Sequence, residues 1–311
     1  MMFRCLSSPA LLALVCAAYA LPLAAQENRV WCDALGKRLR SVDAAACRKL
    51  PFAAGGIRSV EGRPLMLRDV PPIHPNPNPN PNPNPNPNPN PNPNTNAVPV
   101  KIKSGAPSKR AARIFLIGGI HGDELTSVSI VFRWMELLHE AEPRRYHWHI
   151  VPLANPDGLL AQPARRTNGH GVDLNRNFST PDWSHDALAY WQKRTGKDPR
   201  RFPGKTASSE PETRWLETEI ENFKPDVIVS IHAPYGVLDY DGPLQKPRRF
   251  GRLNLNQLGV YPGSLGNFGG VYKNIPVITI ELPHATAMPT PREQRQIWDD
   301  MLAWIGKHIA P

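Results

Sequence analysis

Two patterns of hydrophobic positions alternate along the chain. Mostly apolar runs, typical of strands that are buried on both faces of a sheet, lie at residues 113–120, 148–153, 226–231 and 275–282. Stretches with apolar residues at helical spacing lie at residues 125–138, 212–223 and 292–309. Buried strands that alternate with amphipathic helices predict an α/β domain whose sheet is covered on both faces.

The first 25 residues have the pattern of an export signal. Arg4 is their single charge, residues 9–18 are apolar, and small residues that suit cleavage precede positions 21 and 26. A membrane anchor is the alternative, but it needs about 20 apolar residues and this run is shorter. We therefore predict a signal peptide at residues 1–25 and a secreted or periplasmic protein without stable membrane insertion.

Two cysteines remain once the signal peptide is removed, Cys32 and Cys47. An even count in a chain bound for an oxidising compartment favours a disulfide over a metal site. We predict that this disulfide ties down a small N-terminal extension, residues 26–53.

A proline repeat interrupts the chain at residues 75–96, with ten consecutive Pro-Asn pairs followed by Thr95-Asn96. Proline removes the backbone donor at alternate positions, so the repeat cannot join a helix or a sheet and should form an extended, solvated loop. Segments of strand type flank it at residues 58–68 and 98–103, so the repeat is expected to interrupt a hairpin.

Composition and charge narrow the class of protein. The chain has 311 residues, of which 41% are hydrophobic, enough to bury a sizeable core. Its formal net charge of +10 favours anionic surroundings such as a polymer, a membrane surface or an acidic peptide. The basic residues are scattered without interleaved aromatic residues, so we expect no nucleic-acid partner.

Three potential metal ligands lie at the ends of predicted strands. His121 and His232 each follow a buried strand, and Glu124 lies three residues after His121, on the same side of a helical turn. Two imidazoles and one carboxylate leave a coordination position open for water, as in a catalytic zinc site. Chance spacing of histidines is the alternative explanation for His121 and Glu124 taken alone.

Two further features suggest catalytic or anion-binding residues. Glu281 lies in the apolar run at residues 277–282, where a carboxylate is costly to bury, so it is either a general base, a partner in a buried salt bridge or an outward-facing residue. The segment 165–178 is dense in donors that suit anions, although a solvated basic loop would look the same.

Five motifs together resemble the zinc carboxypeptidase family typified by carboxypeptidase A, in the family's order. They are Gly118-Gly-Ile-His-Gly-Asp-Glu124, Asn155-Pro-Asp-Gly158, Gly171-Val-Asp-Leu-Asn-Arg-Asn-Phe178, Ser230-Ile-His232 and Ile278-Thr-Ile-Glu281. The resemblance implies a three-layer α/β/α fold with a mixed, mostly parallel sheet, over a peptidase domain at residues 54–311. It also implies one Zn2+ per chain, held by His121, Glu124 and His232, with Glu281 as the catalytic base.

The resemblance also assigns substrate contacts. It implies that Asn175 and Arg176 bind a substrate carboxylate and that Arg166, rather than Arg165, stabilises the oxyanion. The family's mobile tyrosine has no clear counterpart, and Tyr261 is the nearest candidate.

Within the family, the chain looks most like the murein peptide amidase branch, which cleaves the bond between γ-D-glutamate and diaminopimelate. Members acting on recycled peptides can lack a leader, so the signal peptide here suggests action on peptidoglycan stem peptides outside the cytoplasm. A general carboxypeptidase acting on ordinary peptides with a free carboxylate is the second hypothesis, and a non-catalytic cell-wall-binding protein is the third. Asp239 and Asp241 would either meet a substrate ammonium or form a polar turn.

Overall fold

A computed structural model describes residues 23–73 and 110–309 of the chain. Most of the predicted signal peptide, the proline repeat and the segment 98–103 lie outside these ranges. Helix α1 begins at Leu23, so it includes the last three residues of the predicted signal. Within the described ranges, no helix combines the length and the hydropathy needed to cross a bilayer.

The secondary structure alternates strands and helices. The strands are β1 (Ala53–Arg58), β2 (Pro64–Val70), β3 (Arg113–Ile117), β4 (His147–Val151), β5 (Val227–His232), β6 (Val237–Asp241), β7 (Arg249–Phe250), β8 (Leu253–Asn254) and β9 (Val277–Glu281). The helices are α1 (Leu23–Arg38), α2 (Ala44–Lys49), α3 (Leu125–Leu137), α4 (Pro156–Leu160), α5 (Leu188–Arg194), α6 (Pro211–Phe223) and α7 (Pro291–His308).

Seven strands form one mixed sheet in the order β1-β2-β4-β3-β5-β9-β6. The four adjacent strands β4, β3, β5 and β9 run parallel, while β2 and β6 pair antiparallel to their neighbours. The carboxyl ends of the parallel strands therefore meet at one edge of the sheet, where ligand sites gather in such folds.

Helices cover both faces of this sheet. Along β3, Ile114 and Leu116 pack into a core that includes residues of α1, α3 and α7, whereas Phe115 and Ile117 pack into a second core with residues of α6. Alternate residues of a strand point to opposite faces, so the unbroken apolar run reflects burial on both sides. The predicted α/β fold with a mixed sheet is confirmed.

The N-terminal extension contributes to the main core. Cys32 and Cys47 form the predicted disulfide, which joins α1 to α2 across a Cα–Cα distance of 5.7 Å. Trp31 of α1 lies against Phe52 and Phe132, with ring centroids 5.0 and 6.1 Å away. The extension therefore packs directly on α3, and its two helices were not anticipated from the sequence pattern.

One predicted strand ends earlier than expected, and one predicted hairpin stays a prediction. The second strand of that hairpin, residues 98–103, lies outside the described residues, and among those described β2 pairs with β1 on one side and β4 on the other. The expected strand at residues 113–120 ends at Ile117, because Gly119 has a φ of +62°, which turns the chain out of the sheet.

Candidate active site

The three predicted ligands and the predicted base lie together at the carboxyl edge of the sheet. His232 is the last residue of β5 and Glu281 the last residue of β9, and the parallel register pairs the two directly. His121 lies in the loop after β3. That loop packs tightly against α4, since a Cβ at residue 122 would lie 2.2 Å from the carbonyl carbon of Gly158.

His121, Glu124 and His232 form a buried cluster whose potential ligand atoms all lie within 4.8 Å of one another. His121 Nδ1 is 2.7 Å from one carboxylate oxygen of Glu124, and His232 Nδ1 is 3.1 Å from the other. Glu124 precedes α3 as its N-cap residue but makes no capping hydrogen bond, because its carboxylate turns to the histidines. Burial opposes ionisation of Glu124, yet the two imidazoles outweigh it and hold its pKa well below the usual range.

Asp173 supports this cluster, a role that the sequence reasoning missed. It is fully buried, and its carboxylate lies 3.0 Å from His121 Nε2 and accepts a hydrogen bond from Arg166 Nε at 3.0 Å. Burial opposes its charge, but Arg166 and His121 lower its pKa well below the ordinary value. A carboxylate on the second ring nitrogen fixes the orientation of a ligating histidine. The sequence held one signal for this role, because Asp173 lies within the Gly171–Phe178 motif.

Glu281 is a buried carboxylate that forms no salt bridge with any described residue. Its side chain lines the same cavity as His121, Glu124 and His232, and the residue is only 6% exposed. Its Oε2 atom has no hydrogen-bond partner among the described residues. Burial raises the pKa of Glu281, against a smaller opposing effect of His232. Neither the salt-bridge nor the outward-facing alternative describes this environment.

The two neighbouring arginines point to different places. Arg166 Nη1 donates to Glu124 Oε1 at 3.3 Å and lines the cavity, whereas Arg165 pairs with Glu61 at 2.7 Å. The geometry therefore favours Arg166 as the residue that faces the ligand cluster. His170, from the same segment, is exposed and bonds to Glu210 at 2.8 Å, outside the cavity.

Asn175 and Arg176 lie in the wall of this cavity. Asn175 Oδ1 accepts from the backbone of Leu265 at 2.8 Å, which turns its amide group outward as a donor. Arg176 lies over the ring of Tyr261, 4.4 Å from the centroid, and its buried Nε has no partner among the described residues. Burial lowers the pKa of Arg176. Both side chains thus offer unused donors to an anion.

The other wall of the cavity is acidic. The antiparallel register places Asp239 opposite Thr279 and Asp241 opposite Val277, so all four residues share the face of the sheet that carries Glu281. Asp239 accepts from the backbone of Tyr240, while Asp241 has no hydrogen bond among the described residues. Burial raises the pKa of Asp241 to about 7, and the charge of Asp239 adds to the shift. The cavity, of about 220 Å³, thus has cations on one wall and carboxylates on the other.

The zinc carboxypeptidase family profile matches residues 57–247, more than half of the chain. The chain belongs to the zinc carboxypeptidase family. The matched region contains the three candidate ligands, Arg166 and the pair Asn175 and Arg176, and it ends before Glu281.

Two curated relatives are murein peptide amidases. Murein peptide amidase A from Escherichia coli (strain K12) is 33% identical over 136 residues, which is 43% of this chain and 54% of that protein. The Vibrio campbellii protein of that name is 31% identical over 184 residues, 57% of this chain and 71% of that one. The chain thus spans about half the length of the first relative.

The fold is similar to that of the murein-tripeptide amidase crystal structure from Escherichia coli O157, with a TM-score of 0.50. The match covers 82% of this chain and 93% of that chain, with 23% sequence identity.

The residues of the cluster fit a zinc ion. Two imidazole nitrogens and a carboxylate are donors that zinc prefers, and three protein ligands leave a position open, as in catalytic sites. The carboxylate of Asp173 on His121 supplies the outer-shell contact that such ligands make. Among the described residues, this is the one group of at least three such side chains close enough to share an ion.

Proposed function

We propose that this chain is an exported zinc metallopeptidase that hydrolyses an amide bond next to a residue bearing a free carboxylate. The observation that carries the proposal is Glu281, a buried carboxylate beside the cluster of His121, Glu124 and His232, whose Oε2 atom finds no hydrogen-bond partner in the part of the chain that the structure describes. A protein that only binds cell wall has no need of such a base or of an open metal position, so the arrangement argues against a non-catalytic role.

The proposed roles follow from the contacts. Zinc, when bound by His121, Glu124 and His232, would lower the pKa of water and polarise the substrate carbonyl. Glu281 would take the proton of the attacking water on Oε2 and pass it to the leaving nitrogen, for which a raised pKa is suited. Arg166, held by Asp173 on the cavity wall, would stabilise the developing oxyanion.

The leaving residue is proposed to carry both a carboxylate and an ammonium group. Asn175 and Arg176 supply donors for its carboxylate. Asp239 and Asp241 face the same cavity, and an ammonium between them would offset the cost of burying two nearby carboxylates. Diaminopimelate has both groups, and the names of the curated relatives support peptidoglycan stem peptides as the substrate. A basic residue of an ordinary peptide is the second candidate.

Export is part of the proposal. The disulfide between Cys32 and Cys47, which is buried where the extension meets the main core, is consistent with folding in an oxidising compartment. Secretion to the periplasm or beyond would place the protein next to its proposed substrate.

The test compares three substrates. The zinc-loaded protein is incubated with L-Ala-γ-D-Glu-diaminopimelate, with a peptide ending in Lys and with one ending in Leu, and products are followed by mass. We expect release of diaminopimelate that a chelator stops and added zinc restores. Release of only Lys would move the protein to the general carboxypeptidases, and no release from any substrate would contradict hydrolysis.

A further inference from the structure

A second cavity adjoins the one that holds the proposed leaving residue. The two share Glu124, Arg166, Arg201 and Tyr235, but Asn175 and Arg176 line only the first. The second cavity has a volume of about 260 Å³. A substrate whose leaving residue occupies the first cavity must extend its acyl part past the ligand cluster, and the second cavity is the adjoining space.

Two arginines differ in their freedom to bind a ligand in this second cavity. Arg200 Nη2 pairs with Asp123 at 2.7 Å, which occupies its guanidinium. Arg201 lies 3.6 Å from Asp198, and its guanidinium has no hydrogen bond among the described residues. Arg201 also lines both cavities, so it lies where they meet. Its planar donors suit a carboxylate, which they can bind with two parallel hydrogen bonds.

The acyl residue of the proposed substrate carries an anion that an ordinary peptide lacks. In a γ-linked glutamate the scissile carbonyl belongs to the side chain, so the α-carboxylate stays free, a few bonds from the reacting carbon. An α-linked residue has its main-chain carbonyl in the scissile bond and no such carboxylate unless its side chain supplies one. A cation beside the scissile bond that can bind a carboxylate can therefore distinguish the two linkages.

Resting on the proposed function, we infer that Arg201 binds the free α-carboxylate of a γ-linked glutamyl residue and is a specificity determinant on the acyl side. Arg201 selects the linkage, and the acidic wall with Asp239 and Asp241 selects the leaving residue. The two selections use different side chains and can be tested separately.

The experiment uses a matched pair of substrates that differ in one group. L-Ala-γ-D-Glu-diaminopimelate is compared with the analogue in which the α-carboxylate of glutamate is a carboxamide. We expect the zinc-loaded protein to prefer the carboxylate by about tenfold in kcat/KM, a modest effect because Arg201 is partly exposed to solvent. Arg201→Gln should remove the preference, Arg201→Lys should keep part of it, and Arg200→Gln, the matched control, should keep it.

Binding provides a second readout that does not depend on turnover. The dissociation constants of both peptides are measured with the Glu281→Gln variant, alone and combined with Arg201→Gln. A carboxylate preference that disappears with Arg201→Gln supports the inference, whereas equal affinities, or a preference that survives Arg201→Gln, would overturn it. If the wild-type protein cleaves neither peptide, the proposed function fails, and the binding ratio still decides the role of Arg201.

Discussion

The two faces of β9 show how one strand serves stability on one side and chemistry on the other. Ile278 and Ile280 point into the core that α1, α3 and α7 cover, and both are completely buried. Thr279 and Glu281 point the opposite way into the polar cavity. Because strand residues alternate between faces, a single five-residue segment can anchor the fold and hold the carboxylate that we propose as the catalytic base. Substitutions on the two faces should therefore have separable effects.

Glu281→Gln gives the largest expected effect. Removal of the proposed general base should lower kcat by about a thousandfold, within the range typical of acid–base catalysis. The free energy of unfolding should stay the same or increase, because the variant removes a buried charge whose Oε2 atom has no hydrogen-bond partner among the described residues. Steady-state kinetics and urea unfolding measure the two quantities.

Ile280→Val on the opposite face of β9 is the matched control. It should cost about 1 kcal/mol of stability and leave kcat unchanged. Comparable loss of activity in both variants would contradict the separation of the two faces.

Loss of the disulfide should lower stability without changing catalysis. The double variant Cys32→Ser, Cys47→Ser removes the cross-link between α1 and α2, which joins residues 15 positions apart. It should lower the free energy of unfolding by about 2–4 kcal/mol. Because the disulfide lies away from the cavity, kcat/KM at a temperature where the variant is folded should not change. A drop in kcat/KM with unchanged stability would show that the extension affects the site.

Asp173→Asn should weaken zinc binding by about 10- to 100-fold, because the charged partner of His121 Nε2 is lost. Competition with a chromophoric chelator measures this affinity. Circular dichroism checks that the variant is folded, since Asp173 also accepts a hydrogen bond from the backbone of Asn175. A folded variant with wild-type zinc affinity would refute the supporting role of Asp173.

Asp241→Asn should have the smallest effect, a change in the free energy of unfolding that depends on pH. The folded chain holds the pKa of Asp241 at about 7, above the ordinary 3.8, mainly through burial. The folded state therefore keeps this proton while the unfolded state releases it, and stability falls as pH rises from about 4 to 7. At pH 8 the variant should be more stable than the wild type by about 1–2 kcal/mol, discounted for solvent access.

The advantage of Asp241→Asn should become small near pH 4, where the folded wild type keeps the proton and the unfolded wild type is partly protonated. Melting temperatures at pH 4, 6 and 8 measure this trend. A constant difference across these pH values would mean that Asp241 titrates normally. The same variant should also lose preference for a leaving residue that carries an ammonium group.

The sequence predicted the central strands, and the positions of His232 and Glu281 within them, better than the edges of the fold. Buried parallel strands appear as apolar runs, and His232 and Glu281 are brought together by strand register that the predicted sheet already implied. The helices α1 and α2 were not anticipated, because the apolar residues of α1 are only weakly confined to one face and α2 has only six residues. The support of His121 by Asp173 depends on a contact between residues 52 positions apart, which periodicity does not encode.

Zinc titration of the metal-free protein tests the central claim most directly. Calorimetry should give one equivalent of zinc bound by the wild type and by Glu281→Gln, and a large loss of affinity in His232→Ala. Retention of zinc by His232→Ala, or absence of binding to the folded wild type, would contradict the assignment of His121, Glu124 and His232 as the metal site.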